Sequence, residues 1–144
     1  MNTKTKENLL TAMHGEAFAY AKYMLFAKRA RENGHPEIAE LFETTAKVEF
    51  LEHFTEEAEL AKIVGTDIEN LKDAIKGERY EVKDMYKEFA LQAEKAGEKA
   101  AAERFLEVRR DEMAHKDAFG EALARLEGKP LAKQAPRKVE PIGV

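Results

Sequence analysis

Cysteine is absent from the 144 residues, and tryptophan with it. Without thiols the chain forms no disulfide, no thiolate zinc site and no four-cysteine iron centre. Prolines number four and glycines eight, so breakers are sparse and helices can run long. No apolar run approaches the length of a membrane span, which predicts no membrane partner. The N-terminus, Met1-Asn2-Thr3-Lys4, lacks the apolar segment of a signal peptide. A reducing cytoplasm is therefore the default expectation. Positive charge is not in excess either: 24 Lys and Arg face 28 Asp and Glu, for a net charge of −4. No basic run is interleaved with aromatics, so nucleic acid is not an expected partner.

What the chain does have is charge and helix formers. Charged residues make up 36% of it, and Ala, Glu, Lys and Leu are abundant, the usage of long helices with solvated outer faces. The length predicts one domain large enough to bury a core. Four helices can be read. The first runs from about Thr5 to Glu32 and stops at the breaker Asn33-Gly34-His35-Pro36. The second runs from Glu37 to about Val64, with Gly65 as its C-cap. Thr66-Asp67-Ile68-Glu69 is a capping box opening the third, which continues to Ala96 before Gly97. The fourth runs from Glu98 to about Glu127 and ends at Gly128-Lys129-Pro130. The expected organisation is all-α: a four-helix bundle over residues 1–128 and a proline-containing tail over 129–144.

The two halves repeat. Gly15-Glu16 recurs as Gly77-Glu78, 62 residues on. Glu40-Leu41-Phe42 recurs as Glu103-Arg104-Phe105, and Glu49 as Glu112, 63 residues on. Two copies of a helical hairpin, each with a glutamate on both helices, are what a symmetric metal site between helices requires.

At about 100° per residue, Phe42, Leu60, Ile38 and Ile63 fall within roughly 40° of Glu49, and Leu9, Ala12, Tyr23 and Ala27 within roughly 40° of Glu16. Both glutamates therefore sit inside apolar stripes. A buried unpaired carboxylate costs several kcal/mol, so it is protonated, paired or metal-bound. A single such glutamate is more often one that snorkels outwards or pairs with a lysine. Glutamates at equivalent positions in four helices are harder to explain in that way. Glu112-Met113-Ala114-His115 adds a Glu-x-x-His, whose two side chains reach the same ion from one helix face. With Glu16, Glu49 and Glu78 it fits the carboxylate-bridged di-iron scheme of helical bundles. The four carboxylates neutralise two ferrous ions, and oxygen donors with imidazole suit iron or manganese, with zinc as a possible substitute.

At these residues the sequence resembles the rubrerythrin family of ferritin-like proteins, over nearly the whole helical part of the chain. Its most distinctive piece is Gly77-Glu78-Arg79-Tyr80-Glu81, followed by Met85-Tyr86-Lys87-Glu88-Phe89-Ala90. The resemblance implies a ferritin-like bundle holding two iron ions. It also implies that Glu81, whose counterpart in the first half is Ala19, is an extra carboxylate exchanged with a histidine as the iron changes oxidation state. Tyr23 and Tyr86 match family tyrosines that hydrogen-bond near the metals. Core aromatics with satisfied hydroxyls are the plainer reading of both.

Two departures from the pattern stand out. The second helix reads Glu49-Phe50-Leu51-Glu52-His53 where a Glu-x-x-His belongs. The repeat sets Glu52 opposite His115, at about −60° from Glu49, whereas the apolar stripe favours His53, at about +40°. Either can be a ligand. Glu56, at about −20°, is a further carboxylate on the stripe with no assigned role. His14 points about 160° away from Glu16 and His35 lies in a turn, so neither is a candidate. The other departure is the rubredoxin domain of many rubrerythrins, which has no counterpart here. As in the shorter, erythrin-type members, this implies electrons from a separate donor such as a rubredoxin-like protein.

The resemblance implies reduction of hydrogen peroxide to water in oxidative-stress defence. Oxygen reduction with ferroxidase activity and iron handling is the alternative at the same site. A metal-free helical assembly protein is a third reading, which predicts that the glutamates are salt-bridged or exposed. The connection between the second and third helices further predicts a homodimer. In the ferritin-like fold these helices are parallel, so the Glu49 and Glu78 levels align only across a crossover of about 40 Å. Gly65-Thr66, even with frayed neighbours, reaches about 15–20 Å. Either the bundle runs up-down-up-down, or two chains exchange hairpins; the resemblance favours exchange.

Overall fold

The computed structural model describes residues 1–130; the expected tail lies, beyond Pro130, outside the described residues. Four long helices and no strand occur among the described residues, the all-α class predicted from the sequence. Helix α1 is Thr3–Glu32. Helix α2 covers residues 36–61 in three pieces: an α-helix Pro36–Val48, a π-helical turn Glu49–Phe54 and an α-helix Thr55–Ala61. Helix α3 covers residues 67–95 in the same manner, as Asp67–Tyr80, a π turn Glu81–Met85 and Tyr86–Lys95. Helix α4 is Lys99–Leu126. The chain divides into two compact units, Met1–Val64 and the part from Gly65 onward.

Each unit is an antiparallel hairpin, α1 on α2 and α3 on α4, and the two are built alike. Gly34 and Gly97 both take φ +78°, the left-handed conformation that ends a helix without a Cβ penalty. His35 N–H reaches back to the Ala30 carbonyl and Glu98 N–H to the Ala93 carbonyl, each at 2.9 Å. Ala27, Ala30 and Ala39 are buried in the first hairpin, and Ala90, Ala93 and Ala102, 63 residues on, in the second. Small side chains at these places let the helices approach closely. Beside them sit matching aromatic sets: Phe42 lies 5.9 Å from Tyr23 and 5.3 Å from Phe26, while Phe105 lies 6.2 Å from Tyr86 and 5.6 Å from Phe89. Among the described residues, Met13 and Val82 are the only buried apolar residues apart from alanines, while Phe18, Leu25, Leu41, Leu51 and Leu60 stand 62–69% exposed. Apolar stripes this open on a helical hairpin are the kind that a second helix pair covers.

The sequence placed the end of α2 at Val64 with Gly65 as the cap. That is corrected: α2 ends at Ala61 and Lys62 takes the left-handed turn, φ 54°. Gly65 serves the next helix. A Cβ there would lie 2.6 Å from Glu69 Oε2, the oxygen that accepts from Thr66 N–H and Thr66 Oγ1 at 2.8 Å in the capping box of α3. Asn70 closes the same corner by bonding both the N–H and the carbonyl of Gly65.

The π turns are the second correction, because they invalidate a uniform angular step along α2 and α3. A π turn accommodates one extra residue in a helix. The repeat carries its trace. Equivalent residues are 62 apart at Glu16 and Glu78, 63 apart from Tyr23 and Tyr86 to Glu49 and Glu112, and 62 apart again at His53 and His115. One residue is therefore added to the second hairpin between Glu78 and Tyr86, and one to the first between Glu49 and His53. Those are the sites of the π turns. A widened turn disturbs the carbonyl ladder, and buried carbonyls require donors. Thr55 Oγ1 donates to the Phe50 carbonyl at 2.8 Å, and Arg109 Nε donates to the Val82 carbonyl at 2.7 Å.

Candidate metal centre

Glu49 opens the π turn of α2. At about 4.4 residues per turn, four residues advance the direction by roughly 330° instead of 400°. His53 is thereby brought to about −30° from Glu49, towards the −60° direction that an α-helical Glu-x-x-His gives its histidine. Glu52 turns away and is exposed. His53 Nδ1 lies 2.8 Å from Glu49 Oε2 and 3.9 Å from Glu16 Oε2 of α1. One ligand atom from each of Glu16, Glu49 and His53 lies within 4.8 Å of the others. The structure thus brings His53, not Glu52, to the glutamates.

The second hairpin builds the same constellation without a π turn on its histidine-bearing helix. His115 Nδ1 lies 2.6 Å from Glu112 Oε2 and 3.9 Å from Glu78 Oε1 of α3. Glu78, Glu112 and His115 form the second group within the same 4.8 Å limit. All four glutamates are mostly enclosed, their side chains 15–28% exposed, whereas the two histidines are about half exposed. Each glutamate faces another glutamate and a histidine instead of a lysine or arginine, so they are neither free surface groups nor members of ordinary salt bridges.

The charges strain against one another. Glu16 has a raised pKa, first through a hydrogen bond to Glu49, then through burial and the repulsion of Glu49; Glu57 adds to it and His53 opposes it. Glu78 is raised by burial first, then by its hydrogen bond to Glu112 and the charges of Glu112 and Glu81. His53 is raised by its hydrogen bond to Glu49 and His115 by its bond to Glu112. Groups whose folded pKa is raised bind more protons folded than unfolded, so their stabilising effect is full below the unfolded pKa and is lost as pH rises. Glu69 and Glu127, both lowered, act below the ordinary carboxylate range and leave no slope above about pH 5. Metal-free protein is therefore expected to melt at a higher temperature at pH 5 than at pH 8. A melting temperature that rises steadily over that interval would contradict the electrostatics just described.

Tyr86 is half-buried, and its hydroxyl pKa is raised by burial and then by Glu81 and Glu112; it lies beside the second group. Tyr23 packs against Phe26 and Phe42. Glu81 opens the π turn of α3 and is half-buried, outside the three-residue group but close enough to act on Glu78. His14 is exposed, and His35 precedes α2 as its N-cap residue. Glu56 and Leu60, expected on the stripe, are exposed, whereas Glu57 is half-buried and Ala61 buried. The inserted residue of the π turn shifts the inward face by one position. The return of the repeat from 63 to 62 was the signal for this shift.

The donor set fits a pair of divalent cations. Two carboxylates and an imidazole in each group give hard, anionic ligation with charge for two ions. Glu78 Oε2 is enclosed with no hydrogen-bond partner, a state that a cation relieves. Among the described residues no helix is long and apolar enough to cross a membrane.

A family model described as Rubrerythrin matches residues 7–51 and 44–123. Nigerythrin of Nitratidesulfovibrio vulgaris is 36% identical over 129 residues, which cover 80% of this chain and 63% of that protein. The rubrerythrin of Porphyromonas gingivalis is 35% identical over 137 residues, covering 87% of this chain and 68% of its own length. A putative rubrerythrin of Methanocaldococcus jannaschii is 32% identical over 145 residues, covering 86% and 71%. This chain thus spans only about two thirds of the length of the relatives it matches. Two helical hairpins with matching Glu-Glu-His groups, the sequence match and the di-iron centre that the match implies agree: the chain belongs to the rubrerythrin family.

Proposed function

We propose that the protein is a non-haem di-iron oxidoreductase that reduces hydrogen peroxide to water in the cytoplasm, using electrons from a separate donor such as a rubredoxin-like protein. The observation that carries this reading is the pair of matching Glu-Glu-His groups in a rubrerythrin-family chain. Glu16, Glu49 and His53 hold one ion, and Glu78, Glu112 and His115 the other. Bound there, a ferrous pair would supply the two electrons that, with two protons, convert one hydrogen peroxide to two waters, and the separate donor would return those electrons. Four carboxylates keep the pair close to neutral. Tyr86 is protonated at neutral pH, as a phenol ordinarily is, and its pKa is raised further, so its hydroxyl can donate a hydrogen bond at the second group. Tyr23 has the equivalent place at the first. Glu81, one turn after Glu78, is a carboxylate in reserve that joins the oxidised centre; structures of the two oxidation states with an unmoved Glu81 would remove that role. Each centre is completed in a homodimer that exchanges hairpins.

Anaerobic reduced protein mixed in turn with peroxide and with oxygen tests the reaction. Peroxide is expected to reoxidise it far faster. If oxygen is equally fast and ferric iron is released or stored, the ferroxidase alternative replaces the peroxidase. A companion measurement addresses the second helix. His53→Ala is expected to weaken binding of one of the two ions, while Glu52→Ala, His14→Ala and His35→Ala bind as the parent does. A silent His53→Ala beside a crippled Glu52→Ala would reverse the assignment.

A further inference from the structure

Past the π turn, α2 carries a carboxylate that the Glu-Glu-His set does not use. Glu57 lies one turn beyond His53. The register shift that turns His53 inward turns Glu57 inward with it and leaves Glu56 exposed. Glu57 Oε2 is fully enclosed and has no hydrogen-bond partner. Side chains packed between α1 and α2 at this level, Met13, Phe54, Ala58 and Ala61, offer no donor. The Glu57 charge reaches Glu16, whose pKa it helps to raise. In the second hairpin the residue 62 positions on is Phe119, which lines an apolar groove with Leu71, Ala74 and Leu126. That is what a packing residue looks like at this position, and a carboxylate does not do the same work. An enclosed carboxylate oxygen without a donor costs several kcal/mol until a proton or a cation reaches it.

We propose that Glu57 is a third carboxylate for the metal ion held by Glu16, Glu49 and His53, reaching that ion directly or through a bound water. The inference rests on the metal-binding reading above. It gives the two half-centres equal charge from positions that the repeat does not relate. Glu57 on α2 has Phe119 as its counterpart, and Glu81 on α3 has Ala19. The first ion therefore depends on a residue to which the second has no equivalent.

Co2+ titration of the full-length metal-free chain, followed by calorimetry and visible absorption, tests this. The parent protein is expected to bind about two Co2+ per chain. Glu57→Gln keeps the shape and removes the charge. It is expected to weaken one binding step by roughly 10- to 100-fold and to alter the absorption of that step alone. Glu57→Asp falls between the two, and Glu56→Gln titrates as the parent does. The metal-free Glu57→Gln protein melts at or above the parent's temperature, because an enclosed unpaired charge has been removed. Should it not fold, Glu57→Leu, apolar like the counterpart Phe119, takes its place with the same expectation. Two parent-like binding steps in the variant overturn the proposal. So does equal weakening of both steps with a lowered melting temperature, the mark of a structural role. A parent protein that binds no Co2+ overturns the metal-binding reading and this inference with it, whereas two ions in the parent and an unaltered variant remove only the role of Glu57.

Discussion

Glu112→Ala protein is expected to retain almost none of the roughly two metal ions that the parent chain carries through desalting, and Glu49→Ala to behave the same way. Glu112 is the hydrogen-bond partner of His115 at 2.6 Å and the neighbour of Glu78, whose second oxygen is enclosed without a donor. Its removal takes away a ligand and unfixes the histidine together. The stability readout is diagnostic because its sign depends on the metal. In metal-free protein the change relieves repulsion that raises the Glu78 pKa, so the melting temperature should hold or rise. In the parent, each ion at about 100 times its dissociation constant adds about 2.7 kcal/mol, which raises the melting temperature by on the order of 10 °C per ion. The variant should show no such rise. Full occupancy and a normal metal-induced shift in both variants would show that these glutamates are not ligands.

A mixture of the two defective proteins is expected to recover metal binding that neither has alone. Glu49 lies about 17 Å of helix before the end of α2, and Glu78 about 17 Å after the start of α3. With α2 and α3 parallel, as the ferritin-like fold has them, bringing the two glutamates level requires the connection to return by about 35 Å. Only Lys62 to Thr66 stand between these helices, a stretch that reaches about 20 Å when fully extended. A parallel bundle would therefore draw its two hairpins from different chains, and the exposed apolar residues of each hairpin would be what a partner's hairpin covers. In the proposed exchanged dimer each centre would take Glu16, Glu49 and His53 from one chain and Glu78, Glu112 and His115 from its partner. In a mixed dimer of Glu49→Ala and Glu112→Ala protein, one centre carries both substitutions and the other carries none. With random pairing after co-refolding, half the dimers are mixed and half of their centres are intact, so about a quarter of the parent's metal capacity returns. Mixed dimers that bind no metal would mean that each centre is built within one chain and that the bundle runs up-down-up-down.

The sequence by itself determined the elements and most of the residues that the structure groups. Sparse breakers, the glycines at the hairpin turns and the capping box at Thr66 are local signals, and the four helices appear where those signals put them, within a few residues. Glu16, Glu49, Glu78 and Glu112 were legible as candidates because the repeat states each pair twice and because a carboxylate in an apolar stripe requires a reason, and His115 because it stands three residues after Glu112. What the tertiary structure decided was angular register. A helical wheel assumes one step per residue, and α2 and α3 each take one wider turn. In α2 that turn exchanges Glu52 for His53 and Glu56 for Glu57 on the inward face. The change from 62 to 63 and back was written in the repeat, but a one-residue offset does not say whether a loop, a cap or a helical turn absorbs it. The donors decide that, and they are set by packing: Thr55 reaches back within its own helix, while Arg109 on α4 reaches the Val82 carbonyl of α3 only once the hairpin has closed. Gly65 teaches the same lesson. A glycine after a helix reads as its cap, yet this one is small because the Glu69 carboxylate of the next helix lies where its side chain would be.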